Sequence, residues 1–158
     1  MLKKICLQIK TGVIIENENG DILLIKEKVK KRNRPLWNII KGTYENHKET
    51  VFESAIRECK EESSVDVELK NILGIYFFNE NVQQTILICF TANILSGIPA
   101  ISEYRQQKAN GEDIQEVRWF SRKDLSQIRP KQFISSKIFN IIRDWQYGMS
   151  YPLEVFKT

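Results

Sequence analysis

Residues 57–62 read Arg57-Glu58-Cys59-Lys60-Glu61-Glu62 and place three carboxylates and a guanidinium within six positions. On an α-helix of about 3.6 residues per turn, Glu58, Glu61 and Glu62 fall within an arc of about 100°. Like charges this close repel one another unless a cation neutralises them, and carboxylate oxygens are ligands that Mg²⁺ and Mn²⁺ prefer. The stretch therefore predicts a metal site on one flank of a helix.

The other side of this helix, which we expect over roughly residues 49–63, is apolar. Apolar residues recur there at i, i+3, i+4 and i+7, which indicates a buried face. These residues are Phe52, Ala55, Ile56 and Cys59. Ion pairs at i, i+4 spacing, with Glu53 on one side and Glu61 on the other, are expected to hold Arg57 against the carboxylates. Arg57 would then organise the site more than it binds substrate.

The sequence around this helix resembles the Nudix hydrolase superfamily. The family signature runs from a glycine through a glutamate and seven further residues to Arg-Glu-apolar-x-Glu-Glu-x-Gly-apolar. The matching residues are Glu49, Arg57, Glu58, Cys59, Glu61, Glu62 and Val65, and the segment Trp37-Asn38-Ile39-Ile40-Lys41-Gly42 precedes them. A glutamate-rich helix without this context is more often a solvated face, so the prediction of a metal site depends on the surrounding motif.

Two positions depart from the family pattern. Gly42 stands seven residues before Glu49, one more than the family spacing, so either the loop is longer around Asn46-His47 or Thr43 takes the glycine position. Ser64 stands where the family has a glycine that closes the helix in the left-handed conformation, which costs a serine about 1 kcal/mol. Neither departure removes a carboxylate.

The rest of the chain predicts an α/β fold. Alternating or continuous apolar runs separated by turn signals such as Asn19-Gly20 indicate strands, and the polar stretch between Gly97 and Gly111 indicates a long loop. The expected strands lie near residues 5–15, 22–25, 37–40, 72–78, 84–94 and 114–120. A short helix from Ser121 and a last amphipathic helix from Ile134 would pack on the sheet. We expect an α/β/α sandwich with a mixed β-sheet between helices, which is also the fold that the Nudix resemblance implies.

Length and composition fit a single domain over residues 1–158, because 42% hydrophobic residues can build one core. Cys6, Cys59 and Cys89 lie in apolar segments without a C-x-x-C pair, which predicts reduced, buried thiols. No apolar run reaches the roughly 18 residues of a membrane span, and none resembles a signal peptide. We therefore expect a cytoplasmic protein without membrane association. A homodimer through the first strand or the last helix stays open.

Positive charge is concentrated between residues 26 and 34, within a chain of net charge +4. The basic residues are Lys26, Lys28, Lys30, Lys31, Arg32 and Arg34, against Glu27. This segment could steer a polyanionic substrate towards the site, although a solvated loop is the simpler interpretation. RNA is a possible partner with weak support, because Trp37 alone adjoins the segment as a stacking surface.

The Nudix resemblance implies hydrolysis of a pyrophosphate bond in a nucleoside diphosphate linked to another group, by water attacking phosphorus. It implies Mg²⁺ or Mn²⁺ as cofactor and a nucleotide derivative as substrate. Glu58 and Glu62 are the implied metal ligands, and Glu61 is a further ligand or the group that activates water. Glu49 supports the site from the loop before the helix, and the Gly42 carbonyl can add a metal contact.

Outside this motif, Lys41, Glu112 and Asp113 are candidate substrate-binding residues. Lys41 precedes Gly42 as in the Pro-Lys-Gly variant seen in family members that act on dinucleoside polyphosphates, although Ile40 replaces the proline. Lys41 could pair with a phosphate or simply face solvent. Glu112 and Asp113 precede the last strand, where some members draw a further carboxylate that binds metal or acts as a base. Glu116 is a weaker candidate. His47 is the only histidine, which excludes a multi-histidine zinc site.

Two other functions stay open. The altered loop and Ser64 allow a Nudix-fold sensor that binds nucleotides without turnover, and the basic segment allows an RNA 5′-end pyrophosphohydrolase. Several aromatic residues could stack on a base, although aromatics at strand and helix spacing are usually core. These are Tyr76, Phe77, Trp119, Trp145 and Tyr147. The sequence does not choose the substrate among nucleotide derivatives.

Overall fold

The structure is a computed structural model that describes residues 6–29, 32–45, 48–80 and 83–157. The strands in these ranges are β1 (Cys6–Glu16), β2 (Ile22–Glu27), β3 (Leu36–Asn38), β4 (Ile40–Thr43), β5 (Asp66–Glu80), β6 (Gln83–Ser96), β7 (Ile114–Phe120) and β8 (Tyr151–Pro152). The helices are α1 (Val51–Ser63), α2 (Tyr104–Asn110), α3 (Arg122–Gln127) and α4 (Ser136–Gln146). None of these helices is long and apolar enough to cross a membrane.

These strands form one mixed sheet with the order β3-β2-β1-β6-β5-β8, in which β4 pairs with β1 and β7 pairs with β2. β1 is parallel to β6 and antiparallel to β2 and β4. The uninterrupted apolar run Val13-Ile14-Ile15 is fully buried in β1, because a central strand is covered on both faces. The predicted mixed sheet is confirmed.

Two apolar clusters, one on each face of the sheet, hold the helices in place. On one face Ala55 and Cys59 of α1 pack in the same cluster as Phe90 of β6. On the other face Ile141 and Trp145 of α4 join a second cluster with residues of β1, β2 and α3. Burial of these side chains removes apolar surface from water on both sides of the sheet. The predicted α/β/α sandwich is confirmed.

Three local predictions outside α1 are wrong. The single strand expected near residues 37–40 is two strands, because β3 pairs with β2 whereas β4 pairs with β1. The segment between Gly97 and Gly111 is not entirely a loop, because it contains α2, a helix of seven residues that is too short to show an apolar repeat. Cys6 is exposed and not part of the core, since it lies at the outer end of β1 opposite Gln83. Cys59 and Cys89 are buried free thiols, as predicted.

Candidate metal and active site

The first turn of α1 is closed by a capping box. The hydroxyl of Thr50 accepts the N–H of Glu53 at 3.2 Å, and the Glu53 carboxylate accepts the N–H of Thr50 at 2.7 Å. This arrangement satisfies N–H groups that have no partner within the helix. The predicted ion pair between Glu53 and Arg57 is therefore wrong, because Glu53 is engaged at the helix start and Arg57 pairs with Glu49.

The last turn of α1 ends at Ser64 in the left-handed conformation, with φ 63° and ψ 16°. Its N–H donates to the Lys60 carbonyl at 3.0 Å, which closes the helix as a glycine would. The sequence predicted this conformation for Ser64, at a cost of about 1 kcal/mol. The replacement of glycine therefore leaves the helix end in the conformation expected for the motif.

The face that α1 turns towards the sheet differs from the prediction. Ile56 is 37% exposed, whereas Glu58 and Glu62 are only 5% and 4% exposed. The predicted apolar face through Ile56 is wrong, because the helix is rotated so that the two carboxylates are buried beside Ala55 and Cys59. Burying two carboxylates costs free energy unless charged or hydrogen-bonding partners compensate them.

β4 supplies the surface against which these two carboxylates lie. The N–H of Lys41 donates to Glu62 Oε2 at 3.0 Å. A Cβ atom at Gly42 would lie 1.8 Å from the carboxyl carbon of Glu58, so only glycine leaves room for that side chain. Of the two residues considered for the loop glycine, Gly42 is the one favoured by this contact, rather than Thr43. A metal contact by its carbonyl stays a prediction, and the Asn46-His47 insertion lies outside the described residues.

Arg57 binds three glutamates at the edge of this surface. Its Nε and Nη2 atoms each donate to Glu49 at 2.9 Å, and its Nη1 donates to Glu58 at 2.7 Å and to Glu61 at 3.0 Å. Nη2 also donates to the Thr43 carbonyl at 3.3 Å. The fork lowers the pKa of Glu49 to about 2 and raises the pKa of Arg57 itself. The predicted pairing with Glu61 is confirmed, and Arg57 fixes the orientation of all three carboxylates.

Glu58, Glu62 and Glu112 form a group in which one carboxylate oxygen of each lies within 4.8 Å of the others. Burial raises the pKa of Glu58 despite its bond to Arg57, and burial raises the pKa of Glu62 well above its usual range. Burial, together with the charges of Glu58 and Glu61, raises the pKa of Glu112 to about 7. Oε2 of Glu112 is buried and has no hydrogen-bond partner among the residues that the structure describes. Carboxylate oxygens this close repel one another when ionised, so the group suits a divalent cation.

Glu112 lies in the loop between α2 and β7, where the sequence predicts a further carboxylate of the site. Asp113, the other candidate, is exposed and accepts a hydrogen bond from Gln115 at 3.3 Å. Glu116 pairs with Lys26 at 3.2 Å. The structure thus brings Glu112 to Glu58 and Glu62, leaves Asp113 and Glu116 apart from this group, and places Glu61 beside it on Arg57.

Gln107 of α2, which sequence reasoning missed, holds the Glu112 loop. Its buried amide donates to the Ser102 carbonyl and accepts the N–H of Ile114, both at 2.8 Å. Its main-chain carbonyl accepts the N–H of Glu112 at 2.8 Å. Ser102 in turn donates to the Glu61 carbonyl, which ties this segment to α1. The end of α2 at Gly111, in the left-handed conformation, is a helix-stop signal that could have revealed it.

Two adjoining clefts open beside these carboxylates. The first, here called the acidic cleft, has a volume of about 550 Å³. Its walls contain Lys41, Gly42, Thr43, Glu45, Lys48, Glu49, Arg57, Glu58, Glu61, Ala109, Asn110 and Glu112. The second, here called the basic cleft, has a volume of about 290 Å³ and includes Lys10, Lys41 and Lys137. Lys41 borders both clefts, and its role as a phosphate contact stays a prediction.

Lys10 and Lys137 are further residues that the sequence reasoning missed, because positions 10 and 137 share no motif. Lys10 is half-buried in β1, and burial together with the charge of Lys41 lowers its pKa. The described part of the basic segment lies elsewhere: Lys26 sits 5.0 Å from the Trp37 ring centre, and Arg34 donates to the Lys131 carbonyl at 3.2 Å. Lys30 and Lys31 lie outside the described residues.

Residues 7–140 match the sequence profile of the NUDIX domain. The chain belongs to this family. A curated relative from Methanocaldococcus jannaschii, named ADP-ribose pyrophosphatase, is 31% identical over 155 residues, which cover 93% of this chain and 82% of the relative. The family match confirms the predicted class, a Nudix pyrophosphohydrolase. Nudix hydrolases generally use divalent metal ions, which agrees with the carboxylate group at the acidic cleft.

Solved structures of NUDIX proteins share the fold. A NUDIX hydrolase from Nitrosomonas europaea superposes with a TM-score of 0.77 at 19% identity, covering 96% of each chain. The NUDIX domain of Shewanella oneidensis NrtR, solved in complex with ADP ribose, superposes with a TM-score of 0.64 at 16% identity, covering 93% of this chain and 90% of that one. At these identities the likeness concerns the fold alone.

Proposed function

We propose that this Nudix protein hydrolyses a pyrophosphate bond in a nucleoside diphosphate linked to another group, using Mg²⁺ or Mn²⁺. The observation that carries the proposal is the convergence of carboxylate oxygens from Glu58, Glu62 and Glu112 within 4.8 Å at the acidic cleft. The M. jannaschii relative is named ADP-ribose pyrophosphatase, which makes ADP-ribose the first substrate to test.

Glu58, Glu62 and Glu112 are the residues that would hold the divalent ion. Such an ion would supply charge neutralisation on the phosphate oxygens and an activated water. Arg57 keeps Glu58 and Glu61 from turning away by donating to both carboxylates. Glu49 holds the other edge of the guanidinium, so a change at Glu49 would act through Arg57 on the carboxylates.

Proton transfer and phosphate binding fall to residues of the cleft walls. Glu61 is 26% exposed and lines the acidic cleft, so its carboxylate can accept a proton from the attacking water. Lys41 and Lys48 line the same cleft and carry amines that can pair with phosphate oxygens. Glu62 is buried behind Lys41, a position that suits a metal ligand more than a base.

The alternatives gain no support from the described residues. The two sequence departures that suggested a sensor leave Ser64 in the left-handed conformation and Gly42 against Glu58. Lys26 and Arg34, at the ends of the basic segment, contact protein groups. RNA as a substrate, a homodimer and a cytoplasmic location stay predictions.

The test is hydrolysis with Mg²⁺ or Mn²⁺ across nucleoside triphosphates, dinucleoside polyphosphates, nucleotide sugars, ADP-ribose and 5′-triphosphorylated RNA. We expect metal-dependent cleavage of at least one nucleoside diphosphate derivative, and Glu62→Gln should lower kcat by about 10³-fold. The matched control is Glu154→Gln, which removes an exposed carboxylate remote from the clefts and should leave kcat unchanged. No turnover of any compound, together with tight nucleotide binding, would contradict the proposal and favour a sensor.

A further inference from the structure

The two outer edges of the sheet are protected to different degrees. At one edge β3 is three residues long, and the Trp37 carbonyl on it accepts the N–H of Ile134 at 2.9 Å. At the other edge β5 is fifteen residues long, but β8 pairs with it at only two positions. From Gly74 to Glu80, no strand among the described residues pairs with the outer side of β5. This stretch, here called the open edge, has main-chain N–H and C=O groups that a further strand can bind.

The side chains of the open edge are mostly apolar, and residues 74–79 contain no charged residue. Exposed edge strands of soluble proteins usually contain charged residues or proline, which prevent pairing with another chain. Here Phe77 is 74% exposed and Ile75 is 53% exposed. Both lie on the α1 face of the sheet, opposite Ile86 and Ile88 of β6. An uncharged apolar edge of this kind indicates a surface that another chain covers.

Two oppositely charged residues of α4 lie beside the other face of the open edge. The Tyr76 hydroxyl donates to Asp144 at 2.9 Å, and the Lys137 amine lies 4.5 Å from the centre of the Phe78 ring. Lys137 is in the first turn of α4, and Asp144 is near its other end. This pair of charges is complementary to a copy of itself that is rotated by 180°, because each lysine then faces an aspartate.

We propose that the open edge binds a second copy of this chain, so that the two sheets join across a twofold axis at Phe77. The length of the open edge sets this register, because Phe77 is the midpoint between Gly74 and Glu80. The two strands are antiparallel, so Phe77 meets Phe77 of the second copy and Tyr76 lies opposite Phe78 of that copy. This inference does not depend on the hydrolysis proposed for the acidic cleft.

This register satisfies three requirements at once. The main-chain groups of both open edges gain hydrogen-bond partners, and the Phe77 and Ile75 side chains of both copies lose contact with water. On the α4 face, Lys137 of each copy comes beside Asp144 of the other, because Phe78 and Tyr76 are opposite each other. Phe78 also lines the basic cleft, so the second copy lies at the border of that cleft.

Sedimentation velocity over a range of protein concentrations tests the proposal. We expect a species with twice the chain mass of 18.6 kDa. Phe77→Lys places two like charges at the axis and should raise the Kd of the dimer by at least about 100-fold. The matched control is Leu95→Lys, at a strand residue that is 67% exposed, and it should leave this Kd unchanged. A wild type that is monomeric at every concentration, or a dimer that Phe77→Lys leaves intact, would overturn the proposal.

Mixing two variants tests the register and separates assembly from folding. Phe77→Lys and Phe77→Glu should each be monomeric, whereas their equimolar mixture should form a heterodimer, because residue 77 of one copy meets residue 77 of the other. A folding defect would not be repaired by mixing. Mixing Ile75→Lys with Ile75→Glu should not strengthen association, since Ile75 lies opposite Asn79 of the second copy. A mixture of the two Phe77 variants that stays monomeric would refute an axis at Phe77.

Discussion

The acidic and basic clefts share Lys41, but the charged residues that line them differ. In the acidic cleft Arg57 is bound by Glu49, Glu58 and Glu61, and the negative charge left over lies on buried carboxylates that a cation would balance. In the basic cleft the described residues include three amines and no carboxylate. The difference teaches that one side of Lys41 is organised by a single arginine among glutamates of one helix and its preceding loop, whereas the other side is lined by lysines that come from three separate elements.

After the loss of a metal ligand, the next largest effect is expected from Arg57→Lys, because lysine keeps the charge but cannot bind Glu49, Glu58 and Glu61 together. We expect kcat to fall by about 10²-fold and the free energy of unfolding to fall by about 2 kcal/mol. Steady-state kinetics and urea unfolding measure these two quantities. Arg129→Lys, at an exposed position, is the control. Full activity in Arg57→Lys would show that the carboxylates need no organiser.

Gln107→Ala should act on the acidic cleft alone, because it releases the loop that carries Glu112. We expect the Mn²⁺ concentration for half-maximal activity to rise by about tenfold. A double variant with Glu112→Gln should lose no further metal affinity, since Gln107 acts through Glu112. Additive losses would refute this coupling.

The effect of Glu112→Gln on Tm should depend on pH. The pKa of Glu112 rises on folding from 4.5 to about 7, so the ionised carboxylate destabilises the folded state as pH increases through this range. In metal-free protein, Glu112→Gln should raise Tm by about 3 °C near pH 8 and by less than about 1 °C near pH 4. Glu154→Gln should change Tm at neither pH. An equal effect at both pH values would contradict the raised pKa.

Ser64→Gly should give the smallest effect and should leave both clefts unchanged. Glycine adopts the left-handed conformation without the clash of a Cβ atom, so the free energy of unfolding should rise by about 0.5–1 kcal/mol. Urea unfolding measures it. Ser126→Gly within α3 is the matched control and should change the same quantity in the opposite direction, by about 0.5 kcal/mol. A loss of stability in Ser64→Gly would show that the Ser64 side chain contributes a contact of its own.

The two clefts also differ in how far the sequence could predict them. The acidic side could be predicted because Arg57, Glu58, Glu61 and Glu62 lie on one helix, where spacing alone places side chains together. The spacing did not predict which face of the helix is buried, because that face includes the Glu58 carboxylate, for which Gly42 leaves room. Helix α2 could not be predicted from periodicity, because its seven residues contain no apolar repeat.

The basic cleft could not be predicted because its lysines are far apart in the sequence. Positions 10, 41 and 137 meet only after β1 pairs with β4 and α4 packs on the sheet. Each lysine alone has the appearance of an ordinary solvent-facing residue. The basic segment at residues 26–34 drew attention instead, because its charges are adjacent in the chain. Contacts between residues this far apart follow from the strand register and the helix packing, and the sequence predicted neither of these in detail.

The measurement that decides between these interpretations is a Mn²⁺ titration by calorimetry of the wild type and four single variants. We expect the wild type to bind a divalent ion, and Glu58→Gln, Glu62→Gln and Glu112→Gln each to weaken its binding by at least about tenfold. Asp113→Asn, which removes the neighbouring exposed carboxylate, should bind Mn²⁺ as the wild type does. Equal binding by Glu112→Gln and Asp113→Asn, or no binding by the wild type, would contradict a metal site formed by these three glutamates.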